Sequence, residues 1–308
     1  MDQIDFWPVV LPCGRLAHVL PYHVCTKGLE DRVLLKDEED FRVANNYVPI
    51  SAARANVVVL AHIGLSTHDH NIVLAENYAD AEMFADSLKM SKSRYLQTKY
   101  GTSAGPFLKG VECRPIPIKD RRYLRNAICY TFRNANDMGH TVDDYKWSSF
   151  RSVFNNRPLP ENLICAEDLS VRQFRKLFRT RDKFEGSPWL IDNDGVLEPK
   201  TYCDWRYVER LFGNDQNFFF KVLGMTDTAQ VEHDLIVLPS MSMSCAELLR
   251  EIENRCQSRY GKALTTLTTS QKIPIIRAIY FGFHSSPAQL ARCFGIHKNE
   301  MEHIISLF

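Results

Sequence analysis

The sequence has almost no net charge, 38 Lys and Arg standing against 37 Asp and Glu. A nucleic-acid partner, an acidic substrate or a charged membrane surface therefore cannot be inferred from the total, and only the local distribution of charge is informative. There is no C-x-x-C pair either. The nine cysteines, at 13, 25, 113, 129, 165, 203, 245, 256 and 293, are odd in number and irregular in spacing. That argues against a disulfide framework or a structural zinc site, and for reduced thiols that fill cores. No apolar run reaches the roughly 20 residues that span a bilayer, the longest being NVVVLAHIGL at 56–65. The opening MDQIDFWPVVLPCGRL puts acids where a secretory leader carries bases. The expectation is a soluble, cytoplasmic chain with no membrane partner. Internal repeats and low-complexity tracts are also lacking.

What is present is ordinary globular composition, 45% hydrophobic and 24% charged, over 308 residues. That length suggests about two domains of roughly 100–200 residues each. LPYHVC (20–25) and NVVVLAH (56–62) read as strands with a helical DEEDFRVANNYV between them, and the following stretch GLSTHDHNIVL leads into a third strand. From Ala79 to Tyr100, Phe84, Leu88 and Tyr95 share one face of a long helix ended by Gly101 and Gly105. ECRPIPI is a proline-bearing edge or irregular strand, and Asp120 can cap a helix through RRYLRNAICYTFRN. This order predicts an α+β fold, a ferredoxin-like split βαβ antiparallel sheet covered by helices on one face, over residues 1–155. Residues 156–240, opening with NNRPLPEN and including the basic SVRQFRKLFRTRDK, read as a linker and accessory region. Residues 241–308 read as helical, closing on a helix-turn-helix-like SPAQLARCFGIHKNEMEHIISLF.

Two residue patterns carry chemistry. Alternation along a strand points His68 and His70 to one face and Asp69 to the other, with the imidazoles about 7 Å apart at Cβ, close enough to chelate one metal. The same spacing also suits polar residues at a sheet surface. Tyr130 and Asn134, one helical turn apart, share a face. A phenol has a pKa near 10 and attacks poorly at neutral pH unless a cation helps; a metal on His68 and His70 would supply that help. An ordinary half-buried aromatic is the plainer reading of Tyr130.

Charge is unevenly spread. Between Lys89 and Asn126 the cations are 89, 92, 94, 99, 109, 114, 119, 121, 122 and 125, against Glu112 and Asp120. Such a stripe is either a phosphate-backbone contact surface or a solvated helix face. The DNA contacts expected from it are Lys92, Arg94, Lys99, Lys109, Arg114, Arg121 and Arg122, joined by Lys298 and Asn299 on the second helix of the C-terminal pair.

The series YHVCTKG, EED, STHDH, SRYLQTKYG, KDRRYLRNAICYTFRNANDMG and DDYKWSSFRSVF resembles the REP-associated tyrosine transposases, members of the single-tyrosine HUH transposase group within the IS200-like superfamily. The likeness covers about residues 20–154, and Asp144 to Phe150 is its most specific piece. It implies a metal-dependent single-strand DNA endonuclease and strand transferase, acting on single-stranded or hairpin DNA, possible as a homodimer. His68 and His70 would bind a divalent ion, magnesium or manganese, although paired imidazoles by themselves favour zinc. Tyr130 would be the nucleophile and Asn134 a third ligand. The chain departs from the pattern at Asp69, usually apolar, at Ser66-Thr67, usually Pro-Asn, at Ala135, usually Pro, and at Gly110-Val111-Glu112, usually arginine-rich. These departures favour the alternative, a domesticated relative that binds structured DNA without cutting it.

Overall fold

The computed structural model describes residues 6–26, 33–101, 113–155, 158–160, 162–180, 182, 184, 187–225, 245–283 and 287–306. The protein is mixed α+β. A short hairpin, β1 (Val9–Val10) and β2 (Leu16–Ala17), precedes β3 (Leu20–Cys25), α1 (Glu38–Ala55), β4 (Val58–Gly64), β5 (Asp69–Ala75), α2 (Tyr78–Tyr100), β6 (Ile116–Pro117) and α3 (Arg121–Arg133). The main sheet has the order β4-β5-β3-β6 with every neighbouring pair antiparallel. Gly101, at φ +87°, caps α2. The strand expected from ECRPIPI is cut to two residues by its prolines, which cannot donate to the ladder.

Register assigns each strand residue to a face. Cys25 pairs with His70, His23 with Ile72 and Tyr22 with Val73; β4 places Ile63 opposite His70 and His62 opposite Asn71, with a bulge between Val59 and Ala61. Tyr22, Val24, Val59, Val73 and Ala75 join α1 and α2 in one core, where Phe84 and Leu88 are buried. The opposite face receives α3, which contacts β4 and β5. Helices therefore cover both faces, not one as expected. The reason is that the strands bury both sides: every residue of β5 is buried, a pattern that a half-solvated sheet does not show.

α3 forms because Asp120 accepts the Tyr123 amide at its N-cap, at 2.7 Å. Its apolar stripe buries Leu124, Ala127, Ile128 and Phe132, each of the larger side chains contributing about 1.5–3 kcal/mol. The run from Tyr145 to Ser149 then crosses the outer edge of β4. The Tyr145 hydroxyl donates to the Gly64 carbonyl at 2.6 Å, the Gly64 amide donates to Trp147 O and the Ser149 amide to His62 O, and the His62 amide donates to Ser149 Oγ. Further along, the Asp204 amide donates to Val59 O.

That last contact bears on domain organisation. Residues after 155 were expected to be a linker and accessory region, yet Ala166, Phe178, Trp189, Ile191, Leu197 and Cys203 share the core of α1 and α2. The chain divides into Met1–Met225 and Thr226–Phe308, so the compact first unit runs well beyond residue 155. The division into units therefore does not fall at NNRPLPEN, where the sequence suggested it. The second unit contains α7 (Cys245–Tyr260), α8 (Thr269–Phe283), α9 (Pro287–Phe294) and α10 (Lys298–Ser306), following α4 (Val171–Phe178), α5 (Trp205–Leu211) and α6 (Gln216–Met225) of the first. Its core holds Leu248, Ile252, Ile276, Ile279, Leu290 and Met301, and Gly295 at φ +63° makes the turn between α9 and α10. Among the described residues no helix is long and apolar enough to cross a membrane.

Candidate functional site

β5 and α3 bring the two predicted patterns together. His68 precedes β5 and His70 is its second residue; their Nε2 atoms stand 3.1 Å apart. The Tyr130 ring, on α3, meets the His70 ring edge-on at 5.4 Å between centroids and 90° between planes. His70 and Tyr130 are both buried, 4% and 5% exposed, and His68 is half-buried. Burial pushes His70 well below the usual histidine range, reinforced by His68 and His23 beside it. It is therefore neutral at neutral pH, the form that can ligate a metal.

The Nδ1 atoms of the pair are anchored on the other sides of the rings. Thr67 Oγ1 lies 2.8 Å from His68 Nδ1, and His23 Nε2 lies 3.1 Å from His70 Nδ1. If both Nδ1 atoms donate, two Nε2 lone pairs face each other across 3.1 Å, an arrangement that a cation between them would stabilise. Imidazole–metal bonds of about 2.0–2.1 Å allow two ligands to be that close at one ion. Two imidazole nitrogens so placed, with an amide oxygen nearby, would fit a divalent cation. Among the described residues no group of three or more His, Cys, Asp or Glu side chains is arranged to hold a metal.

Asn134 is brought near Tyr130, but its amide nitrogen donates to the Tyr130 carbonyl at 2.8 Å, closing the last turn of α3. Only its Oδ1 remains as a donor to a cation, since an amide nitrogen has no available lone pair. Ile63, Leu65, Ala135, Tyr145 and Trp147 form a small apolar cluster, and Trp147 stacks on Phe41 at 5.4 Å. The Asp144–Phe150 run thus fastens the end of β4 to the segment following α3, next to the histidines.

Asp69 points away from the imidazoles, as alternation requires. It is fully enclosed: Lys92 Nζ lies 2.8 Å from Oδ1, Thr26 Oγ1 donates at 3.2 Å and Asn71 Nδ2 donates at 2.6 Å. Burial pushes its carboxyl up, but the charge and hydrogen bond of Lys92, with the Asn71 amide, outweigh this and hold it below the usual carboxylate range.

Several expected DNA contacts are corrected by the structure. Lys92 is 7% exposed and paired with Asp69, so it cannot meet a phosphate backbone. Lys99 lies 2.8 Å from both Asp37 and Asp40 and 3.2 Å from Glu39; those partners, outweighing partial burial, push its ammonium up, and it serves the α1–α2 contact. The helix face counted as one basic stripe in the sequence is therefore two-sided. Arg94, Arg114 and Arg122 are exposed, and the Arg121 guanidinium lies 4.3 Å from the Trp7 ring centroid, with Arg210 at 4.0 Å from the same ring. Lys109 lies outside the described residues. Lys298 and Asn299 are exposed on the first turn of α10, Lys298 3.8 Å from Glu302.

The residue that sequence reasoning missed is His23. Its only local signal is a histidine in an otherwise apolar strand; what makes it part of the site is the pairing of β3 with β5. No family model matches the chain, and neither the curated proteins nor the solved structures yielded a similar protein.

Proposed function

We propose that the first unit is a divalent-metal-dependent enzyme that nicks and rejoins single-stranded DNA through Tyr130, at hairpin-forming repeats. The observation that carries the reading is the approach of Tyr130, on α3, to His70 on the sheet face that α3 covers, 5.4 Å between rings. The strand order and antiparallel pairing support a ferredoxin-like, HUH-type sheet. In the proposed reaction the Tyr130 phenol gives up its proton to solvent and its oxygen forms a bond to a backbone phosphorus while the P–O3′ bond breaks. The leaving oxygen takes up a proton to become a 3′-hydroxyl, and the 5′ end stays on the protein as a phosphotyrosine. A second 3′-hydroxyl reverses the step without a nucleotide cofactor. A magnesium or manganese ion held by His68 and His70 would withdraw charge from the phosphate.

The test is a labelled single-stranded oligonucleotide with a hairpin, incubated with manganese and run on a denaturing gel. A protein–DNA adduct that disappears in Tyr130→Phe is expected. Retention of DNA without an adduct favours the second reading, a non-cleaving binding protein, for which the burial of Tyr130 at 5% speaks. Failure to retain single-stranded DNA even at low salt, where phosphate contacts are strongest, rejects both.

A further inference from the structure

We propose that His23 is the positioning residue that fixes His70 as a metal ligand, accepting the His70 Nδ1–H on its own Nε2 and leaving the His70 Nε2 lone pair aimed at the point shared with His68. The inference rests on the reading of His68 and His70 as a cation site and assigns a role to a third histidine beyond it.

The geometry is specific. His23 Nε2 and His70 Nδ1 are 3.1 Å apart, and the two rings are parallel within 4°, with centroids 5.2 Å apart. β3 lies between β5 and β6. His23 pairs with Ile72 and is therefore the diagonal neighbour of His70 on the same face, a separation that ring side chains can bridge. It does not act as a third ligand, because its nitrogen meets the Nδ1 side of the His70 ring while His68 meets the Nε2 side. His68 has the same arrangement in Thr67, 2.8 Å from its Nδ1. Each member of the pair thus has its own support behind the ring. A bond of this kind fixes the tautomer and the ring orientation of a metal-binding imidazole. Both His23 and His70 then carry their single ring proton on Nδ1, so no proton has to be lost for His70 Nε2 to ligate. His23 is 0% exposed, so water does not compete for its Nε2.

The experiment is calorimetric titration of Co²⁺ into the full chain and its His68→Ala, His23→Leu and His23→Gln variants, with the cobalt visible spectrum and the melting temperature of each metal-free protein. His68→Ala should lose binding. His23→Leu should bind about 10–100-fold more weakly with an altered spectrum, and His23→Gln, which keeps an acceptor where Nε2 stood, should recover most of the affinity. Wild-type affinity in His23→Leu alongside loss in His68→Ala overturns the role of His23 and leaves the cation site standing. Equal weakening in the leucine and glutamine variants, matched by equal falls in melting temperature, makes His23 a packing residue and also overturns it. Absence of Co²⁺ binding by the wild type overturns the cation site itself. Should the leucine variant fail to fold, ¹⁵N NMR of the Zn²⁺-loaded wild type decides the matter: His70 protonated on Nδ1 and His23 unprotonated on Nε2 is expected, and a proton on His23 Nε2 refutes the proposal.

Discussion

The two faces of β5 handle buried polarity in opposite ways. Toward α1 and α2, Asp69 is a full charge met by Lys92, Thr26 and Asn71. Toward α3, His70 is a neutral ring whose Nε2 faces another nitrogen and whose edge lies against the Tyr130 ring. A buried charge with a complete set of partners acts as part of the scaffold, since removing any partner is costly. The converging Nε2 atoms of His68 and His70, with the Tyr130 ring beside them, make up the candidate site proposed above. The charged residue in the histidine motif therefore belongs to the side of the strand that packs on α1 and α2, and the neutral ones to the side of the candidate site.

Variants can break or sharpen that contrast. Tyr130→Phe should eliminate the covalent adduct entirely while leaving retention of single-stranded DNA intact, measured by gel and by filter binding. Lys92→Met strands the Asp69 carboxylate in the core and should cost about 3–5 kcal/mol of unfolding free energy, read by urea denaturation. Adding Asp69→Leu should return most of it, whereas no recovery would mean that Lys92 acts elsewhere. A third prediction concerns pH. Burial, joined by Lys92 and opposed by Asp69, pushes His62 down to about 3; Tyr202 is its hydrogen-bonded neighbour at 2.7 Å. The unfolded chain protonates such a group near about 6.5, so stability is complete above that value and declines as pH falls from there toward 3. His62→Gln should flatten the fall of melting temperature between about pH 6.5 and 4, without abolishing it, because His70 contributes in the same direction. Smallest is Arg122→Ala, which should weaken single-stranded DNA binding modestly and lower the salt-dependence slope by roughly 0.7, the value for one phosphate contact.

Much of the geometry of the candidate site could be read from the sequence because its signals are local. Alternation placed His68 and His70 together, helical spacing paired Tyr130 with Asn134, and Asp120 marked where α3 begins. What escaped depends on contacts between distant segments. His23 reaches His70 through strand register, 47 residues away. Lys92 looked like surface charge because nothing near it in the chain shows that Asp69 lies beneath. Lys99 likewise finds Asp37, Glu39 and Asp40 only once α2 packs on α1. The helices on both faces were missed because α3 has a period that fits either side of a sheet. The stretch from Ala166 to Cys203 escaped because its short elements give weak periodic signals while its buried residues are scattered.

The covering of β4 by Tyr145 to Ser149 and by Asp204 has a consequence for assembly. The carbonyls of Val59, His62 and Gly64 and the amides of His62 and Gly64 are all satisfied within the same chain. A strand from a second copy cannot be added along that border without first displacing this belt, so the border is guarded against the open-ended strand addition that exposed edges invite.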